Sequence, residues 1–171
     1  MQAYITILGR SVWAVINSLY AVLKQTDNRP DVVHIVTETI FKDKLDKTTK
    51  GVRMVLDGFG LHAAVKTMIV AEGKYVVAGK AIQGLVKKLR SEGHEIVVDI
   101  TPGRKSLVSG AMLALNKEQV AHIYYLDINT IVGVNLPYEM IPRQIQSLKD
   151  FKQETGEASH EAETEEDTDA E

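Results

Sequence analysis

Short apolar segments alternate with helical hydrophobic patterns along most of this 171-residue chain. The first apolar segment, Ala3–Leu8, is followed by a stripe that begins at Val12 and repeats at helical spacing. The same order of strand and helix occurs four times and ends on a fifth apolar segment. Strands that are apolar on both faces and separated by helices are typical of a mainly parallel sheet. We therefore expect a doubly wound α/β fold with helices on both faces of the sheet.

The bounds of the expected elements follow from these patterns. The expected strands are Ala3–Leu8, Val32–Val36, Val65–Val70, Ile96–Ile100 and Ile123–Leu126. The expected helices begin at Val12, run from Phe41 to Phe59, run from Tyr75 to a stop at Ser91-Glu92-Gly93, and cover Leu107–Leu115. Past Leu126 the pattern weakens, and we interpret Val132–Val134 as a short strand and Arg143–Phe151 as a final short helix.

The charge of the chain is divided unevenly. Residues 151–171 hold nine acidic residues and one lysine, whereas the first 150 residues have a net charge of +5. From Gln153 the chain also lacks aromatic and large aliphatic residues, so it cannot bury enough apolar area to order itself. We expect one folded domain over residues 1–151 and an acidic disordered tail over residues 152–171. The mildly basic body suits a polyanionic ligand, but its charge is too small to favour duplex DNA.

Composition excludes several classes of function. The chain has no cysteine, which excludes a disulfide scaffold, thiol catalysis and cysteine-based zinc sites. Its five histidines are scattered, so we expect no metal and no cofactor. His34 lies in an expected strand, and we interpret it as a core residue with satisfied hydrogen bonds. No apolar run is long enough to span a bilayer, so we expect no membrane partners. No signal peptide precedes the first strand, and together with the lack of cysteine this favours a cytoplasmic protein.

Two strand-to-helix corners carry the residues that point to a ligand. Gly9, Arg10 and Ser11 follow the first strand, and Thr101, Pro102, Gly103, Arg104 and Lys105 follow the fourth. Backbone N–H groups and the helix dipole favour an anion at such a helix N-terminus. The Arg104 guanidinium is able to donate two parallel hydrogen bonds to phosphate oxygens, and the Lys105 ammonium is a positive charge on a flexible side chain. Since the carboxyl ends of parallel strands share one edge, the two corners can form one site for a ligand with several phosphates.

Each corner also has a purely structural interpretation. Ser11 is a good N-cap for the first helix, although it is also able to donate its hydroxyl to a phosphate or ribose oxygen. Thr101–Ser106 also fits an ordinary solvated loop in which Ser106 caps the following helix. The residue types alone leave both interpretations open.

Three motifs together resemble a CARF domain, the cyclic oligoadenylate receptor of type III CRISPR systems. They are LGRS at Leu8–Ser11, DITPGRKS at Asp99–Ser106 and HIYYL at His122–Leu126, within a resemblance that covers Ala3–Phe151. The resemblance implies a Rossmann-like homodimer that binds cyclic tetra-adenylate or hexa-adenylate across its two-fold axis. Matched by motif, Gly9, Arg10 and Ser11 form one contact loop, and Thr101 to Lys105 form the other.

The resemblance also implies an activity. Standalone CARF proteins include the ring nucleases, and we expect no fused effector domain in this chain because few ordered residues follow the fifth strand. In the expected reaction a ribose 2′-hydroxyl attacks the neighbouring phosphate, while Lys105 neutralises that phosphate and Ser11 orients it or the hydroxyl. No histidine lies on either corner, so we expect slow, metal-independent cleavage. Two alternatives stay open: a non-catalytic sensor or receptor domain of a larger CRISPR effector, and an unrelated nucleotide-binding α/β protein.

Overall fold

The computed structural model describes residues 1–115, 120–129 and 135–153 of the protein. Its strands are β1 (Gln2–Leu8), β2 (Val32–Glu38), β3 (Ala64–Val70), β4 (Glu95–Asp99), β5 (His122–Ile128) and β6 (Gln146–Asp150). Its α-helices are α1 (Val12–Gln25), α2 (Leu45–Gly58), α3 (Tyr75–Ser91) and α4 (Lys105–Leu115). Short 3₁₀-helices cover Thr39–Lys44, Tyr138–Met140 and Arg143–Ile145. The strand expected at Val132–Val134 and most of the expected acidic tail lie outside the described residues.

The six strands form one sheet in the order β3-β2-β1-β4-β5-β6. Strands β1 to β5 pair in parallel, and β6 pairs antiparallel with β5. The cores above the two faces are separate: α1 and α2 pack on one face, and α3 and α4 pack on the other. The expected fold class is therefore confirmed as a mainly parallel, Rossmann-like α/β fold. In the described parts of the chain, no helix is long and apolar enough to cross a bilayer.

The central strand β1 explains why both faces are covered. Its Ala3, Ile5 and Ile7 side chains belong to the core under α3 and α4, whereas Tyr4 and Leu8 belong to the core under α1 and α2. All five side chains are at most 1% exposed. Burial of a large apolar side chain stabilises the fold by about 1.5–3 kcal/mol, so a strand with apolar residues on both faces requires helices on both sides.

The prediction of one long helix from Phe41 to Phe59 is wrong for its first part. Residues Thr39–Lys44 form a 3₁₀-helix, and the α-helix begins only at Leu45. The Thr39 hydroxyl donates to the carbonyl of Val70 on the neighbouring strand, at 3.2 Å. Tight turns of this kind are common where an α-helix begins, and they keep an apolar residue such as the buried Phe41 close to helical spacing.

The final helix expected over Arg143–Phe151 is also wrong. Arg143–Ile145 is a single 3₁₀ turn, and Gln146–Asp150 is the edge strand β6. Leu148 pairs with Leu126 across the antiparallel ladder. The free edge of β5 supplies hydrogen bonds along the whole segment, and this tertiary pairing decides the conformation of a stretch with only weak periodicity.

Candidate functional site

The two predicted corners meet where the connections of the sheet change direction. β1 and β4 are neighbours, with Thr6 opposite Asp99, but the chain leaves β1 towards β2 on one side and leaves β4 towards β5 on the other. In doubly wound sheets this point opens a crevice beyond the carboxyl ends of the strands. The N-termini of α1 and α4 both begin at this crevice.

Gly9 and Pro102 bring the corners into direct contact. A Cβ atom built on Gly9 would lie 2.4 Å from the Pro102 carbonyl oxygen and 3.4 Å from the Arg104 backbone nitrogen. Real Cβ atoms do not approach a backbone oxygen so closely, so a side chain at position 9 would push the second corner away. Glycine is required here for a close approach of two backbones, since its φ is not in the left-handed region.

A cavity of about 570 Å³ lies between the corners. Its lining includes every predicted site residue except Gly9, which packs against the backbone of the second corner. Ala14 and Ser106 also line it. The full lining is Arg10, Ser11, Ala14, Thr101, Pro102, Gly103, Arg104, Lys105 and Ser106. The structure therefore brings together the eight residues that the sequence selected. Its walls carry two arginines, one lysine and two serines, but no carboxylate among the described residues.

The first corner is fixed by a helix cap and by a neighbouring lysine. The Ser11 hydroxyl oxygen accepts a hydrogen bond from the Ala14 N–H at 3.2 Å, so Ser11 is the N-cap of α1. Its hydroxyl hydrogen is still able to donate to a ligand, because a serine oxygen accepts and donates at once. The Lys44 ammonium donates to the Arg10 carbonyl oxygen and ties this corner to the segment after β2. The Arg10 side chain itself is exposed.

The second corner is anchored from below by Asp99. This fully buried carboxylate accepts hydrogen bonds from the Thr6 hydroxyl at 2.8 Å, the Ser18 hydroxyl at 2.6 Å and the Thr101 N–H at 3.0 Å. Burial raises the pKa of the Asp99 carboxyl, while the hydrogen bonds from Ser18 and Thr101 act in the opposite direction. The Thr101 hydroxyl oxygen accepts from the Leu126 N–H at 2.8 Å. These bonds fix the turn relative to β1, α1 and β5.

Arg104 and Lys105 differ in their surroundings. Arg104 Nη1 lies 3.4 Å from Glu38 Oε2 and 3.6 Å from Glu72 Oε1, so this guanidinium is already paired within the protein. Lys105 is exposed on the first turn of α4. Because α4 begins at Lys105, Ser106 lies inside the helix, and the alternative in which Ser106 is the N-cap is wrong. Lys105 is thus the cation that is better placed to neutralise a bound phosphate.

Sequence patterns missed three residues that shape this site. Glu38 and Glu72 pair with Arg104, and Lys44 holds the Arg10 carbonyl. Glu38 ends β2, Lys44 ends the 3₁₀-helix after β2, and Glu72 follows β3, all at the same edge of the sheet. The only available signal was their position after strands expected to end at that edge.

None of the four histidines in the described parts of the chain lines the cavity. Those of the described chain form no cluster of three metal-binding side chains with acidic residues. His34 is only 8% exposed, and its Nε2 has no hydrogen-bond partner among the described residues, so the expectation of a satisfied core histidine is wrong. Burial, followed by the charge of Lys66, lowers the pKa of His34. His122 Nδ1 pairs with Asp150 Oδ2 at 2.6 Å, at the opposite edge of the sheet.

Comparison with known proteins gives a likeness of fold. No protein-family model matches the sequence, and no curated protein is significantly similar to it. Among solved structures, the chain is similar to a type III CRISPR defence DNA nuclease activated by cyclic oligoadenylate, with a TM-score of 0.54 and 17% sequence identity. The similarity covers 74% of this chain but only 19% of that nuclease, so this chain spans about a fifth of its length. At this identity the comparison supports the Rossmann-like fold.

Proposed function

We propose that this protein is a CARF-like receptor and a ring nuclease. In this proposal a homodimer binds cyclic tetra-adenylate across its two-fold axis and cleaves it slowly, without a metal, to linear products that end in 2′,3′-cyclic phosphate. Such a reaction would destroy the messenger and switch off type III CRISPR signalling. The folded domain over residues 1–151 would carry this function without the acidic tail.

The contact of the two corners is the observation that carries the proposal. Their cavity combines two helix N-termini, the exposed cations Arg10 and Lys105, and two serine hydroxyls. Each of these groups favours phosphate oxygens. The fold of the cyclic oligoadenylate-activated nuclease gives independent support for this class of ligand.

Exposed apolar side chains support the homodimer. Leu113 is 79% exposed on α4, the helix that begins with Lys105. Val76 and Val77 are 69% and 61% exposed on α3, which packs closely against α4. Contiguous patches of exposed apolar side chains are typical of association surfaces, and these three side chains lie on two helices in contact. An isologous dimer would present each corner twice, in agreement with the even symmetry of a four-membered ring.

The proposed chemistry is an in-line attack of a ribose 2′-hydroxyl on the adjacent phosphorus. The new P–O bond closes the 2′,3′-cyclic phosphate, and the bond to the 5′-oxygen of the next nucleotide breaks. The 2′-hydroxyl loses its proton to water, and the leaving 5′-oxygen takes up a proton from water. Lys105 would stabilise the charge on the phosphate, and the Ser11 hydroxyl would orient a phosphate oxygen. No histidine, aspartate or glutamate lines the cavity in the described part of the chain, so no strong general base assists the attack. Slow turnover follows from this lack.

A non-catalytic receptor is the second candidate, and the hydrogen bond of Ser11 favours it. The hydroxyl already caps α1, so its position has a structural cause that is independent of catalysis. The chain also spans only about a fifth of a nuclease whose activity is controlled by cyclic oligoadenylate. A receptor domain of a larger effector, or a sensor that holds the ring intact, would use the same cavity.

Incubation of the pure protein with labelled cyclic tetra-adenylate in EDTA separates these functions. The proposal predicts linear products with cyclic phosphate ends, formed by the wild-type protein and not by Lys105→Ala. An intact ring that stays bound would identify a receptor. A protein that neither binds nor cleaves cyclic tetra-adenylate or hexa-adenylate would be an unrelated nucleotide-binding α/β protein, and the proposal would then be wrong.

A further inference from the structure

We propose that Glu38 is a positioning residue for the ligand cavity: it holds Arg104 in place and does not release it to the ligand. The identity of the ligand in this inference rests on the proposed function. The contact between Glu38 and Arg104 does not, and it can be tested without a ligand.

The two residues face each other across the end of β1. Glu38 is the last residue of β2, Arg104 follows β4, and β1 lies between these strands in the sheet. Arg104 therefore reaches over the first corner, where Gly9 leaves room for the backbone of the second corner. Its Nη1 lies 3.4 Å from Glu38 Oε2. This ion pair connects the halves of the sheet on either side of the cavity.

The two carboxylates near Arg104 differ in burial. The Glu38 side chain is 1% exposed, whereas the Glu72 side chain is 49% exposed. Within the described residues, Glu38 Oε1 has no hydrogen-bond partner, and Arg104 is the only cation paired with this carboxylate. Withdrawal of Arg104 would leave a buried charge without compensation, which is costly. Water would solvate Glu72 in the same event, so Glu38 is the carboxylate that keeps Arg104 in place.

Arg104 is nevertheless able to contact a ligand while it remains paired with Glu38. A guanidinium has five N–H groups in a rigid fork, and both ion pairs use the same nitrogen, Nη1. Arg104 also lines the cavity and keeps 29% of its side chain exposed. In this arrangement the remaining N–H groups of Arg104 donate oriented hydrogen bonds to the ligand, while the positive charge of Arg104 is offset by Glu38. The attraction for phosphate then comes mainly from Arg10 and Lys105.

The first test uses the protein without ligand and a matched pair of variants, Glu38→Gln and Glu72→Gln. Nuclear magnetic resonance of the Arg104 side-chain N–H groups reports how restrained the guanidinium is. We expect separate signals from a restrained Arg104 guanidinium in the wild type and in Glu72→Gln. In Glu38→Gln we expect the signals to be averaged by rotation of the guanidinium. Glu38→Met fills the same space without any acceptor, and we expect it to fold and to release Arg104 completely. A guanidinium as restrained in Glu38→Met as in the wild type would overturn the proposal.

The second test measures affinity for cyclic tetra-adenylate. Loss of an oriented hydrogen bond to charged phosphate should weaken binding by about 10-fold in Glu38→Gln and Glu38→Met, and by less than about two-fold in Glu72→Gln. In an Arg104→Gln background the Glu38 changes should have no further effect. Tighter binding by Glu38→Gln would mean that Glu38 competes with the ligand for Arg104, and would overturn the proposal. A wild-type protein without affinity for the ring would refute the proposed function, and the ligand-free comparison would still decide whether Glu38 holds Arg104.

Discussion

The two edges of the sheet carry cavities of similar volume and opposite charge. The cavity at the carboxyl edge, about 570 Å³, is lined by Arg10, Arg104 and Lys105. The cavity at the amino edge, about 550 Å³, is lined by Asp27, Glu95 and Asp150 together with other, mostly polar, side chains. In the described chain neither a lysine nor an arginine lines this second cavity. Volume therefore does not distinguish the two edges, and charge does.

The direction of the helices accounts for part of this difference. Helices α1 and α4 begin at the carboxyl edge, where free N–H groups favour anions. The amino edge receives the C-terminus of α1, since Gln25 and the residues after it line its cavity. Free carbonyl groups at a helix C-terminus disfavour anions. A phosphate-rich ligand should therefore select one edge of the sheet, and the following predictions test that difference.

Removal of the exposed lysine at the carboxyl edge should have the largest effect. Lys105→Ala removes a hydrogen bond to charged phosphate at each copy of the site, at a cost on the order of 1.5–3 kcal/mol per site. Because one ring contacts two copies of Lys105 in the dimer, affinity for cyclic tetra-adenylate should fall at least ~100-fold, while the thermal midpoint stays close to that of the wild type. Lys88 lies near the C-terminal end of α3 with 71% of its side chain exposed, so Lys88→Ala removes the same charge away from the cavity and serves as the control. Equal affinity in the two variants would contradict the assignment of Lys105.

At the amino edge the expected change is one of stability and not of ligand binding. Asp150 accepts hydrogen bonds from the Ile123 N–H at 3.2 Å and the Lys152 N–H at 3.1 Å, and it pairs with His122. Asp150→Ala leaves a buried N–H group without its partner and should lower the free energy of unfolding by about 1–3 kcal/mol.

Ring affinity of folded Asp150→Ala should equal that of the wild type. Asp27→Ala, an exposed change in the same cavity, should change the free energy of unfolding by less than about 0.5 kcal/mol. Denaturant titration and ring binding check both statements. Weakened ring binding in Asp150→Ala would show that the two edges are not independent.

A smaller effect at the carboxyl edge separates binding from chemistry. Ser11→Ala should keep most of the affinity but cleave at least ~10-fold more slowly, because each 1.36 kcal/mol of barrier is tenfold in rate. Loss of the cap should also destabilise the protein by about 1 kcal/mol, so Ser11→Gly, which largely spares the cap, is the control. If both variants cleave as fast as the wild type in single-turnover assays, Ser11 acts as a cap and not in catalysis.

The smallest effect concerns the buried carboxylate below the second corner. Burial raises the pKa of Asp99 above its ordinary value of 3.8. The folded state therefore binds a proton at Asp99 more tightly than the unfolded state does, and this proton binding stabilises the fold. The stabilisation is complete below pH 3.8 and is lost as pH rises through the folded-state pKa of Asp99. The stability of the wild type relative to Asp99→Asn should decline with rising pH over this window, as measured by urea unfolding. A difference that is flat or that increases with pH would contradict this account of Asp99.

The fold was predictable because its signals are local and agree with one another. The end of α3 is an example: Gly93 has a φ of 83°, and the His94 N–H donates to the Leu89 carbonyl oxygen in a Schellman-type ending. The stop expected at Ser91-Glu92-Gly93 depended on that glycine. Strand β6 has no comparable signal, because only Leu148 is a large apolar residue in Gln146–Asp150. Its conformation depends on the free edge of β5, which the segment's own residues do not reveal.

The residues of the candidate site were predictable from the sequence, but the ion pairs that these residues form were not. Topology alone places the ends of β1 and β4 at one edge, so the corners were expected to meet. The partner of Arg104 was not predictable, because Glu38 lies 66 residues away in sequence and a glutamate at the end of a strand carries no periodic signal. The cap formed by Ser11 was one of the two open interpretations, and the structure confirms the cap without testing the proposed catalytic role.

Titration calorimetry with cyclic tetra-adenylate tests the central claim most directly, because the proposed site uses both corners of two chains around one ring. At micromolar protein the account predicts a dimer that binds one ring for every two chains, and Lys105→Ala should weaken that binding at least ~100-fold. A stoichiometry of one ring for each chain would contradict the two-fold site, and a wild-type protein that gives no heat of binding and retains no labelled ring would contradict the claim that this cavity is a cyclic oligoadenylate receptor.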